Sequence, residues 1–75
     1  MNDKRIHAAA AFVAEMLGVP PDAIGPDSSM ENTPAWDSME HMTMMLEFER
    51  RFGKSPDMDA ISRATSVRAI AELMA

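Results

Sequence analysis

The chain has 75 residues, a formal net charge of −5 and no cysteine. A domain of this size buries only about 60% of the surface its unfolded chain exposes, which leaves no room for the enclosed cleft of ~300 Å³ or more in which small-molecule enzymes usually work. Disulfides, thiolate zinc sites and a cysteine nucleophile are excluded. The longest apolar run, Ala8 to Ala14, is seven residues, too few for a membrane span, and no signal peptide precedes it. The expectation is one soluble, monomeric, cytoplasmic domain over residues 1–75.

Asp3 is placed to cap a first helix that runs to Leu17. Ile6, Ala9 or Ala10, Val13 and Leu17 recur at helical spacing, and Phe12 and Met16 widen that face. Gly18 is the natural stop, and Pro20-Pro21 prevents continuation. Residues 19–36 hold four prolines and read as one long loop. Loops of that length in a compact domain are either functional or disordered. Val19, Ile24 and Met30 could pin this one to the helices, so an ordered loop with a short turn is expected.

A second helix is expected from Ser38 to Phe52. At about 100° per residue, Met39, Met42, Met44, Met45, Leu46, Phe48 and Phe52 share one broad arc, wider than the usual single stripe. Such a helix is either central to the bundle or uses one apolar edge for a partner or ligand. Gly53 ends it. Ser55-Pro56 reads as a cap and first position of a short third helix through Ile61. Thr65-Ser66 then caps a fourth, with Val67, Ile70, Leu73 and Met74 inward. The fold class is all-α: a small four-helix bundle of three longer helices and one short one.

Charge is unevenly placed. Eight acids (Glu15, Asp22, Asp27, Glu31, Asp37, Glu40, Glu47, Glu49) occupy a span with no Lys or Arg, and the bases sit toward the ends. An acidic middle repels nucleic-acid phosphates and steers toward basic protein surfaces, although the same pattern serves as an ordinary solvated face.

Within that span, Asp37, Ser38, Glu40 and His41 gather an acid, a hydroxyl, a second acid and an imidazole. The structural account is an N-cap: Asp37 with Glu40 three residues on approximates a capping box, and Trp36 could act as its hydrophobic staple. If Asp37 caps, the Ser38 hydroxyl is left to project from the positive end of the helix, where an anionic ester would be favoured. A Ser-His-Asp triad fits poorly, because Asp37 is badly placed to orient His41 and no Gly-x-Ser-x-Gly elbow is present. His41 is expected partly exposed on the surface. A calcium loop starting at Asp27 fails at its sixth and twelfth positions, Asn32 and Ser38. Two histidines without cysteine do not make a zinc site.

Asp37-Ser38-Met39 resembles the Asp-Ser-Leu signature of acyl and peptidyl carrier proteins. The likeness spans nearly the whole chain: Leu17-Gly18-Val19, the long loop ahead of the serine, Glu-x-x-Phe-Gly over Glu49–Gly53, and Ser-Val-x-x-Ile over Ser66–Ile70. The resemblance implies a non-catalytic carrier whose Ser38 receives 4′-phosphopantetheine from coenzyme A through a phosphopantetheinyl transferase. The arm's thiol then holds an acyl or aminoacyl cargo as a thioester, loaded by a ligase and passed to downstream synthases or transferases. It further implies a partner-docking face including Asp37, Met39, Glu40, Met42, Thr43, Leu46 and Glu49. The Met-rich helix supplies adaptable apolar surface for it, while Met44 and Met45 are assigned to the core.

Departures narrow the likeness. Met39 stands in place of leucine, and Ala35-Trp36 in place of glycine and a small residue. Trp-Asp-Ser is closer to stand-alone carriers of specialised pathways than to those of fatty-acid synthesis. Arg50 and Arg51 interrupt the acidic second helix. An acyl carrier would open a small apolar cavity between helices for its chain, whereas an aminoacyl or peptidyl carrier of a specialised-metabolite or cell-envelope pathway would leave its cargo outside. The methionines lean toward the first. A small helical interaction module without a prosthetic group is the rival from another class.

Overall fold

The computed structural model describes residues 3–75. Four α-helices form: α1 (Asp3–Leu17), α2 (Ser38–Phe52), α3 (Met58–Arg63) and α4 (Val67–Leu73). Two of 15 residues carry the bundle, and two of six and seven close it. α1 packs chiefly on α4 and more lightly on α2. Ile6, Ala9, Ala10, Phe12 and Val13 of α1 meet Met44, Met45 and Phe48 of α2 and Val67 and Ile70 of α4 in one apolar core. Phe12 lies edge-on to both Phe48 and Phe52, with centroids 6.0 and 5.7 Å apart, a favoured aromatic geometry.

Local signals set the helix ends. Asp3 lies in the first turn of α1 rather than ahead of it, and the preceding position is outside the described residues. After α1, Gly18 takes φ 69°. The Val19 N–H then reaches Ala14 O (3.1 Å) and the Gly18 N–H reaches Glu15 O (3.2 Å), the paired bonds of a Schellman ending. Gly53 ends α2 with φ 67° and one bond from its N–H to Glu49 O. Both positions need the left-handed region, which glycine enters without a Cβ clash.

The third helix starts two residues later than Ser55-Pro56 suggests. Asp57 is the cap, its Oδ1 accepting from the Ala60 N–H at 2.8 Å, and the helix runs on to Arg63. A carboxylate at the positive end gains from the helix dipole as well as the hydrogen bond, so Asp57 outcompetes Ser55. At α4, Ser66 Oγ accepts from the Ala69 N–H as expected.

The long loop is ordered by hydrogen bonds. It contains one 3₁₀ turn, Pro21–Ala23. Its middle is tied to the α3–α4 junction by Met30 N–H to Thr65 O (2.9 Å) and Val67 N–H to Ser28 O (3.0 Å), around an isolated Ser29–Ser66 bridge. Asn32 closes the bend, accepting from the Ser29 N–H and donating to Asp27 O. Ile24 is buried, and Val19 and Met30 are half-buried. The loop therefore delivers its last residues to a defined place, the start of α2.

Candidate functional site

Asp37 has extended backbone angles (φ −103°, ψ −177°), and its Oδ1 accepts from the Glu40 N–H at 2.9 Å. The Glu40 carboxylate does not return the bond, so the capping box is half made. Its staple is complete in an unusual form. The residue before the cap, Trp36, packs on the fourth helical residue, His41, with ring centroids 5.9 Å apart. The Trp36 Nε1–H also donates to His41 Nδ1 at 3.1 Å.

His41 is therefore not the surface residue the sequence suggests. It is 5% exposed, and Trp36 is 1% exposed. The other ring nitrogen, Nε2, lies 2.8 Å from Ile61 O in α3. An indole N–H only donates and a carbonyl only accepts, so the imidazole is the neutral tautomer with its proton on Nε2. Ile61 is among the last four residues of α3; its carbonyl accepts a long bond from the Ala64 N–H at 3.3 Å, and His41 supplies a shorter second one. The network is buried at Trp36 and His41 and part-buried at Ile61, and its buried side-chain nitrogens all have partners. The missed signal was periodicity: His41 falls between Met44, Met45 and Phe48 on the core arc, and only its polar chemistry suggested solvent.

Ser38 is exposed, and its hydroxyl enters no hydrogen bond. Asp37 has taken over capping, so the hydroxyl stands at the first turn beside N–H groups that have no helical partner. Rotation at about 100° per residue places Met39, Met42, Leu46 and Glu49 within ~100° of Ser38. Met39, Met42 and Leu46 are 79%, 42% and 66% exposed, an apolar stripe continuous with the serine. Met44 and Met45 lie in the core, as expected. Thr43 borders the stripe, its hydroxyl donating to Met39 O. Glu40 does not join it: half-buried, it lies on the opposite flank of α2. Asp37 is exposed but serves the cap.

The two arginines that interrupt the acidic run of α2 are paired with acids. Arg50 binds Glu47 through two hydrogen bonds, and Arg51 bridges Glu47 and Glu15 of α1. Hydrogen bonds first from Arg50 and then from Arg51 lower the Glu47 carboxyl from 4.5 to about 2. The Arg51 hydrogen bond likewise holds Glu15 below its ordinary value. Two acids are thus paired with arginines on the α1 side, while Glu49, beside the stripe, makes no salt bridge among the described residues.

A family profile described as the phosphopantetheine attachment site matches residues 8–74. The chain belongs to this phosphopantetheine-binding carrier family. Carriers of the family hold a 4′-phosphopantetheine prosthetic group, are generally not catalysts, and work with phosphopantetheinyl transferases and biosynthetic enzymes. No individual curated protein matches the sequence. Among the described residues no helix is long and apolar enough to cross a membrane, and no acidic or histidine cluster could hold a metal. A carrier needs an exposed, uncommitted hydroxyl for its phosphodiester, and the start of α2 offers one.

Proposed function

We propose that Ser38 carries the 4′-phosphopantetheine arm and that the chain presents an acyl or aminoacyl group to successive biosynthetic enzymes. The supporting observation is the Ser38 hydroxyl, exposed and without a hydrogen bond at the first turn of α2, while Asp37 does the capping. The arm's terminal thiol supplies the thioester chemistry that a chain without cysteine lacks. The protein's own part is positional. Asp37 fixes the helix start, so the direction in which the arm leaves is set by backbone rather than by a mobile loop. First-turn N–H groups and the helix dipole stabilise the negative phosphodiester.

Met39, Met42 and Leu46 form the docking stripe beside it, with Thr43 and Glu49 at its edge. The fitting partner surface is an apolar depression with a basic group opposite Glu49. Asp37 contributes beside the arm at the helix start, and Glu40 on the flank of α2 opposite the stripe.

Incubation of the purified chain with coenzyme A and a broad-range phosphopantetheinyl transferase is expected to add the mass of one arm. Ser38→Ala is expected to add none. An unmodified wild-type chain after treatment with several competent transferases would favour the interaction-module reading instead.

A further inference from the structure

We propose that Trp36, His41 and the Ile61 carbonyl form a latch that closes the bundle beside the arm. The cargo then stays outside the helices and belongs to the short or polar class of acyl and aminoacyl groups. The proposal rests on the carrier reading, since it concerns what the Ser38 arm holds.

The latch brackets the attachment point. Trp36 stands two residues before Ser38, and His41 three after. A chain folding back from Ser38 into the protein would meet the latch at two places. One is the seam between α2 and α3, which the His41 Nε2–H to Ile61 O bond crosses at 2.8 Å. The other is the space beneath the loop end, which Trp36 fills as the largest fully buried side chain. Below them Met44, Met45 and Phe48 are closed to solvent.

Separating α3 from α2 would do more than move apolar surfaces apart. It would take the acceptor from the imidazole N–H, leave the part-buried Ile61 carbonyl only its longer bond from the Ala64 N–H, and disturb the buried Trp36 N–H that depends on the same ring. Buried polar groups left without partners oppose such opening. Surface grooves lie against the loop, between α3 and α4, and between α1 and the loop. None is lined by a residue of α2. The apolar stripe of α2 faces outward. A polar aminoacyl group gains nothing from the interior, and a short acyl group has little surface to hide. The methionine-rich composition that leaned toward an enclosed chain is divided between a filled core and an outer stripe.

A transferase that accepts acylated coenzyme A permits a direct test. The chain is loaded from acetyl-coenzyme A and, separately, octanoyl-coenzyme A. Intact mass verifies one acylated arm on the wild type and none on Ser38→Ala. The two loaded forms are expected to melt within about 1 °C of each other and to share amide shifts at Met44, Met45, Ile61 and Ala64. An octanoyl form that melts about 4 °C or more above the acetyl form, with those amides displaced, overturns the proposal.

Trp36→Ala empties the space beside the arm and is expected to acquire that octanoyl-dependent rise. A folded Trp36→Ala that responds no more than the wild type removes Trp36 from the latch. If this variant does not fold, the wild-type comparison decides alone. Absence of any mass gain fails the carrier reading itself, and is seen before the cargo comparison begins.

Discussion

At the residue scale, the start of α2 divides labour among neighbours of similar chemistry. Asp37 accepts from the Glu40 N–H, Ser38 accepts nothing, and His41 is consumed by the interior. Asp37→Ala removes the cap and is expected to cost about 1 kcal/mol, measured by urea denaturation. His41→Leu keeps the volume but leaves the buried Trp36 N–H without an acceptor, while the Ile61 carbonyl keeps its bond from the Ala64 N–H. The unpartnered indole N–H costs about 1–3 kcal/mol, so this variant should be the less stable of the two in the same assay. If it were no less stable than Asp37→Ala, the network would not be a principal tie between α2 and α3.

At the scale of the element, α2 has two apolar faces with different purposes. Met44, Met45 and Phe48 lie in the core, while Met39, Met42 and Leu46 face solvent. Leu46→Glu therefore removes no core contact, and its stability should stay within about 0.5 kcal/mol of the wild type. Its kcat/KM as a transferase substrate is expected to fall by about tenfold, the loss typical of a central interface residue. Unchanged kinetics would remove Leu46 from the docking face. Both ends of the helix were legible in the sequence, because a cap and a left-handed glycine act over a few residues. Met44 and Met45 were also assigned inward, but His41 was not, because an arc this wide does not say where the neighbouring helices lie.

At the scale of the molecule, Arg51 links the two long helices. It joins Glu15 to Glu47 and sits over the Phe12 ring at 5.3 Å from the centroid. Both acids titrate below their ordinary value in the folded chain, Glu47 at about 2. A depressed carboxyl contributes stability above its unfolded value, and that contribution fades as pH falls through the folded one. The melting temperature should therefore drop between about pH 4.5 and 2, and Arg51→Ala should flatten this acid limb relative to wild type. These groups are solvent-exposed, so added salt should shrink the difference. A limb as steep in the variant as in the wild type would show that other carboxylates govern acid unfolding.

Composition, caps and helical periodicity determined the all-α class, the extents of α1 and α2, and the setting of Ser38. Each of these depends on interactions within a turn or two of chain. The later start of α3 also has a local cause, a competition between Ser55 and Asp57 that the carboxylate wins at the positive helix end. The tertiary structure alone decided what depends on distant partners. Arg50 pairs with Glu47, and Arg51 with both Glu47 and Glu15. Glu40 is turned away from the stripe. His41 and Trp36 bridge to a carbonyl 20 residues along the chain from the imidazole, because an indole and an imidazole can be buried only where each finds a hydrogen-bond partner.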